Sequence, residues 1–451
     1  MTTPHRIFVQ IPSYRDPQLV PTLIDLVLQA RAPSDLRVVV CWQHSAEETA
    51  DEFIASGFEF SCTRSFDSRA VHFMEFRGVK IELVDVPYLE AKGAGWARSV
   101  AQQRFAGERY SLQIDAHHRF IKGWDVQMVA MLESLRETSA KPLLTGYPPA
   151  FSPASYPDGR QEQASAMLVD TFTPMGIVSF RALMLPEGRF NAPLRARFMS
   201  GGFVFSDGRF VEEVRQDPNQ FFFTEEIVMA ARAHTHGYDF FHPHLPLLWH
   251  DYASSAPEVW EDLTEEAKLK ELIPESADDL AFASVGRALS LLGIQPNDNP
   301  SDSTCYGLGG LRSLHHYERF AGLSFSHRGV HRSATDLGEP EPEHTHLSDE
   351  QWESGLICKR TMQISVNLTA ASDFEVYSVE VAMRDRSGRE SPIKSLSLEE
   401  ICTLVEHSAL EFAHRFSSSP AGLPTTLLLQ SETSHADAER FFSISAWELH
   451  A

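Results

Sequence analysis

The chain has 451 residues, of which 43% are hydrophobic and 22% are charged, and its formal net charge is -23. This length favours two domains over one, because a single hydrophobic core stops growing at about 250–300 residues. The negative charge argues against non-specific binding to nucleic acid or to an anionic membrane, since both are held by excess Lys and Arg. We therefore expect no nucleic-acid and no membrane partner, while a local cation still permits a phosphate ligand.

The cysteines and the N-terminus bear on the cellular compartment. Five cysteines form no CxxC pair and leave one unpaired, so neither a disulfide framework nor a thiolate zinc site is expected. The sequence passes directly from MTTPHR into a strand-like run without the regions of a secretory signal, and no apolar run approaches membrane-spanning length. These features predict a cytoplasmic protein in a reducing compartment.

The first 120 residues alternate between strand-like and helix-like runs. Continuous apolar segments predict strands at 7–11, 36–42, 80–86 and 110–114. Apolar residues at helical spacing predict helices at 17–32 and 92–106. This order predicts an α/β fold with a mostly parallel central sheet, in which ligands bind beyond the carboxyl ends of the strands. The polar runs PSYRD (12–16) and DAHH (115–118) fall at that edge.

The composition changes between 333 and 355, where Lys and Arg are absent and two prolines stand between glutamates. We interpret 333–355 as an extended acidic linker between a catalytic domain at 1–332 and a small C-terminal α+β domain at 356–451. In the C-terminal domain the pattern predicts a long amphipathic helix at 396–416. Strands are predicted there at 362–369, 377–385, 425–432 and 441–449.

The run QIDAHHRF at 113–120 places an Asp and a His two residues apart, directly after a predicted strand. On an extended chain residues i and i+2 point to the same face, so Asp115 and His117 project together. One carboxylate oxygen and one imidazole nitrogen make half of a divalent metal site, and a mixed O/N set suits Mn²⁺ better than Mg²⁺. A capping Asp beside surface histidines explains the same residues, and spacing alone does not decide.

Further candidate residues follow downstream. Gly201 and Gly202 permit a close backbone approach, although a plain turn or bulge uses such a pair more often. Thr224 is placed to cap a helix that opens with Glu225 and Glu226, and the helix dipole alone explains acids in a first turn. Position therefore gives no reason by itself to make either glutamate catalytic.

A possible third metal ligand is the last of a group of five histidines. His250 follows an apolar run, as a ligand distant in sequence would. The group comprises histidines at 234, 236, 242, 244 and 250. A zinc hydrolase built from this group is a second hypothesis, although HEXXH and similar signatures are absent.

The order of these segments resembles glycosyltransferase family 60. The resemblance covers about residues 6–330 and lies in IFVQIPSYRDPQLVPTL, GAGWARSVAQQRFAGERYSLQIDAHHRFIKGWD, SGGFVF, TEEI, WHDY and YGLGGLRSLHHYERFAGL. Described members of that family are cytoplasmic enzymes that transfer N-acetylglucosamine from UDP-GlcNAc to hydroxyproline on a ubiquitin-ligase adaptor. The resemblance implies a GT-A type nucleotide-diphospho-sugar transferase fold, a UDP-GlcNAc donor, a protein or glycan acceptor, and retention of configuration.

In GT-A enzymes a D-x-D or D-x-H motif at a strand end binds the metal that bridges the diphosphate. By position, the resemblance assigns Asp115 and His117 to that metal, Mn²⁺ or Mg²⁺, with His250 as the third ligand. A solvated helix Arg at 98 and a plain strand-to-helix turn at 13–16 are the alternatives to a donor-binding role. Donor-binding residues implied by the resemblance are Ser13, Tyr14, Arg15, Arg98, Asp115, Gly201 and Gly202.

Glu225 and Glu226 are the candidate catalytic residues, expected to position the acceptor or to stabilise positive charge on the sugar rather than to act as a nucleophile. Retention by double displacement needs a carboxylate close to the anomeric carbon, whereas in front-face attack the leaving phosphate takes the acceptor proton. Acceptor contacts are expected from 201–203 and 147–156. Two other functions stay open: a metal-dependent nucleotide-sugar hydrolase, and a non-catalytic module that binds glycan or protein.

Overall fold

The computed structural model describes residues 6–254, 256–296, 303–337, 347–368, 375–434 and 442–449. By internal contacts the chain divides into two compact units. The larger unit comprises Met1–Val169, Phe180–Ala321 and Leu337–Pro340. The smaller unit comprises Asp170–Ser179, Gly322–Asp336 and Glu341–Ala451.

The larger unit is a mixed α/β structure. Up to residue 254 the strands are β1 (Ile7–Tyr14), β2 (Leu36–His44), β3 (Glu59–Phe66), β4 (Arg69–Phe76), β5 (Val79–Pro87), β6 (Tyr110–Ile114), β7 (His118–Phe120), β8 (Pro142–Thr145), β9 (Ser165–Phe172), β10 (Val178–Met184), β11 (Leu194–Arg195), β12 (Phe203–Asp207), β13 (Asp239–His242) and β14 (Leu248–His250). The helices are α1 (Leu19–Gln29), α2 (Asp51–Ala55), α3 (Ala94–Gln102), α4 (Trp124–Ser134), α5 (Phe210–Glu213), α6 (Glu225–Thr235), α7 (Val259–Asp262), α8 (Glu265–Leu269), α9 (Ala277–Leu291), α10 (Ser303–Tyr306) and α11 (Leu314–Ala321).

The central sheet has the strand order β11-β13-β8-β12-β6-β1-β2-β5-β4-β3, and β7–β14 and β9–β10 form separate two-stranded sheets. The α/β fold class predicted from the sequence is confirmed, but the central sheet is mixed rather than mostly parallel. In the described part of this sheet, the parallel pairs are those of the run β6-β1-β2-β5 and the pair β13–β8. The hairpin β3–β4 adds antiparallel pairs at one edge of the sheet, and β11 pairs antiparallel with β13 at the other edge. Inside the sheet, the buried strand β12 pairs antiparallel with both β6 and β8.

Strand β1 shows why the centre of the sheet is covered on both faces. Side chains alternate along a strand, so Val9 packs into one apolar core and Phe8 into the other, and both are fully buried. Helices α1 and α4 supply the first core, for example with Leu23, and α3 supplies the second with Ala97. Burial of each large apolar side chain contributes about 1.5–3 kcal/mol. Because apolar cores cover both faces of the sheet, the carboxyl ends of its central strands are held rigidly and can support a site.

The smaller unit is an α+β arrangement. Its elements are β15 (Leu323–Ser324), β16 (Gly329–His331), α12 (Asp349–Ser354), β17 (Leu356–Leu368), β18 (Val376–Asp385), β19 (Glu390–Ser395), α13 (Leu398–His407), β20 (Ala409–Ser418), β21 (Pro424–Thr433) and β22 (Phe442–Leu449). One sheet has the order β15-β16-β17-β20 with β22 also on β17, and the other has the order β19-β18-β21. The segment 322–336 belongs to this unit because β16 pairs with β17.

Two predictions for this region are wrong in part. The helix predicted at 396–416 ends at His407, because Ser408 adopts a left-handed conformation with φ of 60° and the following residues alternate as the strand β20. The predicted linker is not extended throughout: Ser348 and Gln351 form a capping box that opens α12, and Trp352 of that helix is buried. Residues 338–346 of the predicted linker lie outside the described residues.

Within the described residues, no helix is both long enough and apolar enough to span a membrane.

Candidate metal and donor site

The parallel pairing of β1 with β6 brings two sequence motifs to one edge of the sheet. Gln10 lies opposite Gln113, so the residues that follow the two strands end at the same level. Asp16 Oδ2 lies 2.7 Å from Nδ1 of His117. The predicted convergence of PSYRD and DAHH is therefore confirmed, and it is closer than the sequence indicated.

Three side chains at this edge form a candidate metal centre. Asp115, His117 and His250 each offer one ligand atom, and these atoms all lie within 4.8 Å of one another. The Nε2 atoms of the two histidines are 3.0 Å apart, and His250 Nε2 is 3.5 Å from Asp115 Oδ2. Strand β14 carries His250 to the site because it pairs with β7, with His250 opposite His118.

The chemistry of this group fits a divalent cation. One carboxylate oxygen and two imidazole nitrogens are a ligand set for Mn²⁺ and related ions. Burial lowers the pKa of His250, even against the hydrogen bond to Asp115, so the ring stays neutral as a ligand must. Among the described residues, the Nδ1 atom of His250 is buried without a hydrogen-bond partner, so the polar contacts of the ring are those of its Nε2.

Arg98 ties the candidate metal centre to the candidate catalytic residues. Its side chain, on α3, is 3% exposed, and Nη2 donates to Asp115 Oδ1 over 2.7 Å while Nη1 donates to Glu225. Burial alone would raise the pKa of Asp115, but the Arg98 charge and His250 outweigh it and hold that pKa well below its ordinary value. Both Nη groups are thus engaged by carboxylates, and Arg98 orients Asp115 and Glu225 rather than facing solvent.

The two adjacent glutamates have different environments. Thr224 lies at the N-cap position of α6, but its hydroxyl bonds Gln220 instead of the helix. Glu226 Oε1 accepts a hydrogen bond from Gly201 N over 2.9 Å, and Oε2 accepts one from the hydroxyl of Tyr147 over 2.6 Å. Burial raises the pKa of Glu226 to about 7, so Glu226 titrates near neutral pH.

Replacing Glu226 by Gln is expected to change the pH dependence of stability. Since burial raises the Glu226 pKa from 4.5 to about 7, the folded protein binds a proton between these values that the unfolded chain does not. Stability from this group is present below pH 4.5 and is lost as pH rises through about 7, by about 3 kcal/mol. Urea unfolding across this range should show the wild type losing stability relative to Glu226→Gln, and a constant difference would contradict the raised pKa.

Of the two adjacent glycines, Gly202 makes the close approach that the sequence allowed. Gln113 Nε2 donates to Gly201 O over 2.7 Å, which fixes the turn before β12. A Cβ added at Gly202 would lie 2.7 Å from Asp115 Oδ2, whereas one at Gly201 would lie 3.4 Å from Arg98 Nη1. The distance at Gly202 is too short for a Cβ unless the Asp115 carboxylate moves, whereas the distance at Gly201 is an ordinary van der Waals contact.

These distances predict different effects for two neighbouring substitutions. Gly202→Ala should displace the Asp115 carboxylate, which Arg98 holds in place, and reduce donor turnover by about 10²-fold, the cost of misplacing a reacting group by about 1 Å. Gly201→Ala should cause a much smaller loss, because its Cβ meets only ordinary contacts. Turnover and Mn²⁺ affinity of the two variants check this order, and equal losses would show that the close approach at Gly202 is unimportant.

The predicted donor residues on the β1–α1 turn lie beside one unpredicted acid. The Tyr14 hydroxyl and Arg15 Nη1 both donate to Asp262 Oδ2, over 2.7 and 2.8 Å. Arg15 has a φ of 46° and its guanidinium stacks on Tyr88 at 4.8 Å. Ser13 is buried, and within the described part of the chain its Oγ has no hydrogen-bond partner. Asp262 comes from an acidic helix whose sequence has no distinguishing motif.

Three of the four remaining histidines of the group are bonded elsewhere, whereas Nδ1 of His244 has no hydrogen-bond partner among the described residues. His234 Nε2 lies 2.9 Å from His316, and His242 bonds the backbone of Thr145 and Met167. Among the described residues, the candidate metal group includes only His250 of the five histidines between 234 and 250. The zinc-hydrolase hypothesis built on that group therefore loses its structural basis.

The chain has distant similarity to solved structures. No protein with a curated description matches the sequence. The crystal structure of GalNAc-T7 with UDP, GalNAc and Mn²⁺ is 14% identical, with 61% of this chain and 50% of that chain covered and a TM-score of 0.38. S. aureus TarS 1–349 in complex with UDP-GlcNAc is 12% identical, with 63% and 73% covered and a TM-score of 0.33. The chain thus spans half the length of the GalNAc-T7 structure.

The class is set by a family match rather than by these distant structures. Residues 6–327, well over half of the chain, match a family of glycosyltransferases. The protein belongs to the family described as Glycosyltransferase (GlcNAc). The site residues from Ser13 to His250 all fall within the matched range.

Proposed function

We propose that this protein is a metal-dependent glycosyltransferase, of the family 60 kind, that moves N-acetylglucosamine from UDP-GlcNAc to a hydroxyl group of an acceptor protein. The observation that supports this most is the group of Asp115, His117 and His250 at the loop edge of the sheet, in a chain of the Glycosyltransferase (GlcNAc) family. The acceptor hydroxyl belongs to hydroxyproline, Ser or Thr, and the reaction takes place in the cytoplasm.

Asp115, His117 and His250 would hold Mn²⁺ or Mg²⁺, which when bound stabilises the negative charge that develops on the leaving UDP diphosphate. Arg98 keeps the Asp115 carboxylate oriented and ionised for this role, through the 2.7 Å bond to Oδ1. The glycine at 202 leaves Asp115 Oδ2 uncovered. These residues define a donor site in which the diphosphate lies against the β6 strand end.

The turn after β1 would bind the nucleoside part of the donor. Tyr14 offers a ring for stacking and Arg15 a cation, and Asp262 holds both side chains in place. The buried Ser13 hydroxyl is available to donate, because it has no hydrogen-bond partner among the described residues. The bound uridine is then adjacent to the metal centre, since Asp16 of the same turn contacts His117.

Glu226 is the group best placed to orient the acceptor, whereas Glu225 serves to hold Arg98. In the proposed front-face reaction the bond from the sugar C1 to the phosphate oxygen breaks, the acceptor oxygen forms the new bond to C1, and the acceptor proton passes to the leaving phosphate. Configuration is retained. Glu226 accepts a hydrogen bond from the acceptor hydroxyl, and Tyr147 and Gly201 hold its carboxylate.

Release of UDP from a panel of UDP-sugars, with Mn²⁺ present or chelated, tests this function. We expect UDP-GlcNAc to be the preferred donor, slow release without an acceptor, and loss of release on chelation. Full turnover without acceptor would indicate a nucleotide-sugar hydrolase instead. Release that is insensitive to chelation would contradict the metal-dependent reaction.

A further inference from the structure

We propose that Asp16 is a positioning residue that fixes the tautomer of His117 and thereby sets the metal affinity of the site. This inference rests on the proposed metal-dependent function. The sequence gives Asp16 the role of starting helix α1 after the turn, and nothing in that role requires a metal. The contacts of its carboxylate indicate a second role.

Both oxygens of Asp16 are engaged, and its side chain is only 4% exposed. Oδ2 lies 2.7 Å from His117 Nδ1, and Oδ1 accepts a hydrogen bond from Gln18 N over 2.7 Å. An ionised carboxylate only accepts, so Nδ1 of His117 must carry the proton. The lone pair of a neutral His117 then lies on Nε2, the atom that faces His250. A carboxylate behind a histidine in this way orients the ring and raises its basicity as a ligand.

The same turn also carries the proposed nucleoside-binding residues. Arg15 has a positive φ of 46°, a conformation that L-residues rarely adopt, and its backbone N donates to Gln43 O. Through this turn Tyr14 and Arg15 reach Asp262, while the next side chain, Asp16, reaches His117. One rigid turn thus holds a metal ligand and the proposed uridine site in a fixed relation.

Two substitutions of Asp16 separate a tautomer role from a merely structural one. In Asp16→Asn the single carbonyl oxygen is needed by Gln18 N, so the amide NH₂ faces His117 Nδ1 and forces the proton onto Nε2, which blocks the ligand atom. In Asp16→Ala the ring is free to choose its tautomer, but the bond to Gln18 N is lost. If Asp16 fixes the tautomer, Asp16→Asn should reduce the metal affinity more than Asp16→Ala does, even though Asp16→Ala should reduce the stability of the fold more.

Calorimetric titration of the metal-free full-length protein with Mn²⁺ is the test. We expect Asp16→Asn to lose about 10–100-fold in Mn²⁺ affinity, Asp16→Ala to lose less, and Asp16→Ala to have the lower Tm. Asp25→Asn is the matched control. Asp25 lies on α1 and accepts a hydrogen bond from Phe120 N, and the Mn²⁺ affinity of this variant should equal that of the wild type. Weaker binding by Ala than by Asn would overturn the role of Asp16.

The outcomes also separate this inference from the proposed function. If the wild type binds no Mn²⁺, the metal-dependent function fails and the role of Asp16 with it; binding by the wild type with the reverse order of variants removes only the role of Asp16. Imidazole ¹H–¹⁵N spectra of the metal-free wild type, recorded above the pKa of His117, give a readout that needs no variant to fold. A proton on Nδ1 supports the inference, and a proton on Nε2 overturns it.

Discussion

Replacing Asp115 by Asn is expected to reduce turnover of the UDP-sugar by about 10³-fold or more, since it removes the anionic ligand of the proposed metal. The Asn oxygen can still accept from Arg98, which leaves the amide NH₂ directed at His250 and at the metal position. The fold should therefore survive while the ligand set is lost. UDP release at saturating Mn²⁺, together with the Tm of the variant, measures the two effects separately.

Asp67→Asn is the matched control for this substitution. Asp67 is an exposed residue of the β3–β4 turn with a φ of 45°, a conformation that Asn tolerates well. Turnover of the UDP-sugar by Asp67→Asn should equal that of the wild type. If Asp115→Asn also retained wild-type turnover, Asp115 would have no part in the reaction and the metal assignment would fail.

Replacing Arg98 by Met is expected to lower the free energy of unfolding by about 3–5 kcal/mol, the cost of removing one partner from a buried ion pair. Asp115 and Glu225 would be left close together and uncompensated, since Arg98 is the cation that bonds both. Urea unfolding without metal measures the loss. Added Mn²⁺ should restore part of it, because a cation bound at Asp115 replaces some of the missing charge.

Arg136→Met provides the comparison at the surface. Arg136 also bonds a carboxylate through both Nη groups, that of Asp207, but the two side chains are 29% and 21% exposed. A pair of this kind contributes about 0–1 kcal/mol. Equal losses for the two variants would show that Arg98 has no special role in holding the buried carboxylates.

The sequence predicts two of the proposed metal ligands, Asp115 and His117, because their spacing is a local feature of the chain. Asp115 and His117 stand two apart beyond an apolar strand, which suffices to place both side chains on one face. The contact of His117 with Asp16 depends on the parallel register of β1 and β6, which no single segment encodes. His250 reaches the site through the antiparallel pairing of β14 with β7. Its position after an apolar run made it a candidate, and only the family resemblance assigned it to the same metal as Asp115 and His117.

Arg98 and the segment 396–416 show where such patterns mislead. Helical spacing does not tell whether a single Arg faces solvent or a buried carboxylate, and the decisive partner, Glu225, lies 127 residues away. In 396–416 a helical apolar pattern passes directly into an alternating one, so the segment reads as one long helix. The turn at Ser408 separates them, and its left-handed conformation has no clear signature in a serine.

Binding of UDP to the metal-free protein, measured by calorimetry with Mn²⁺ or with chelator, tests the metal-dependent donor site most directly because it needs no acceptor. UDP should bind at least about tenfold more tightly with Mn²⁺, a difference of about 1.4 kcal/mol, and Asp115→Asn should abolish that gain. Equal UDP affinity with and without Mn²⁺ would contradict a metal centre at Asp115, His117 and His250.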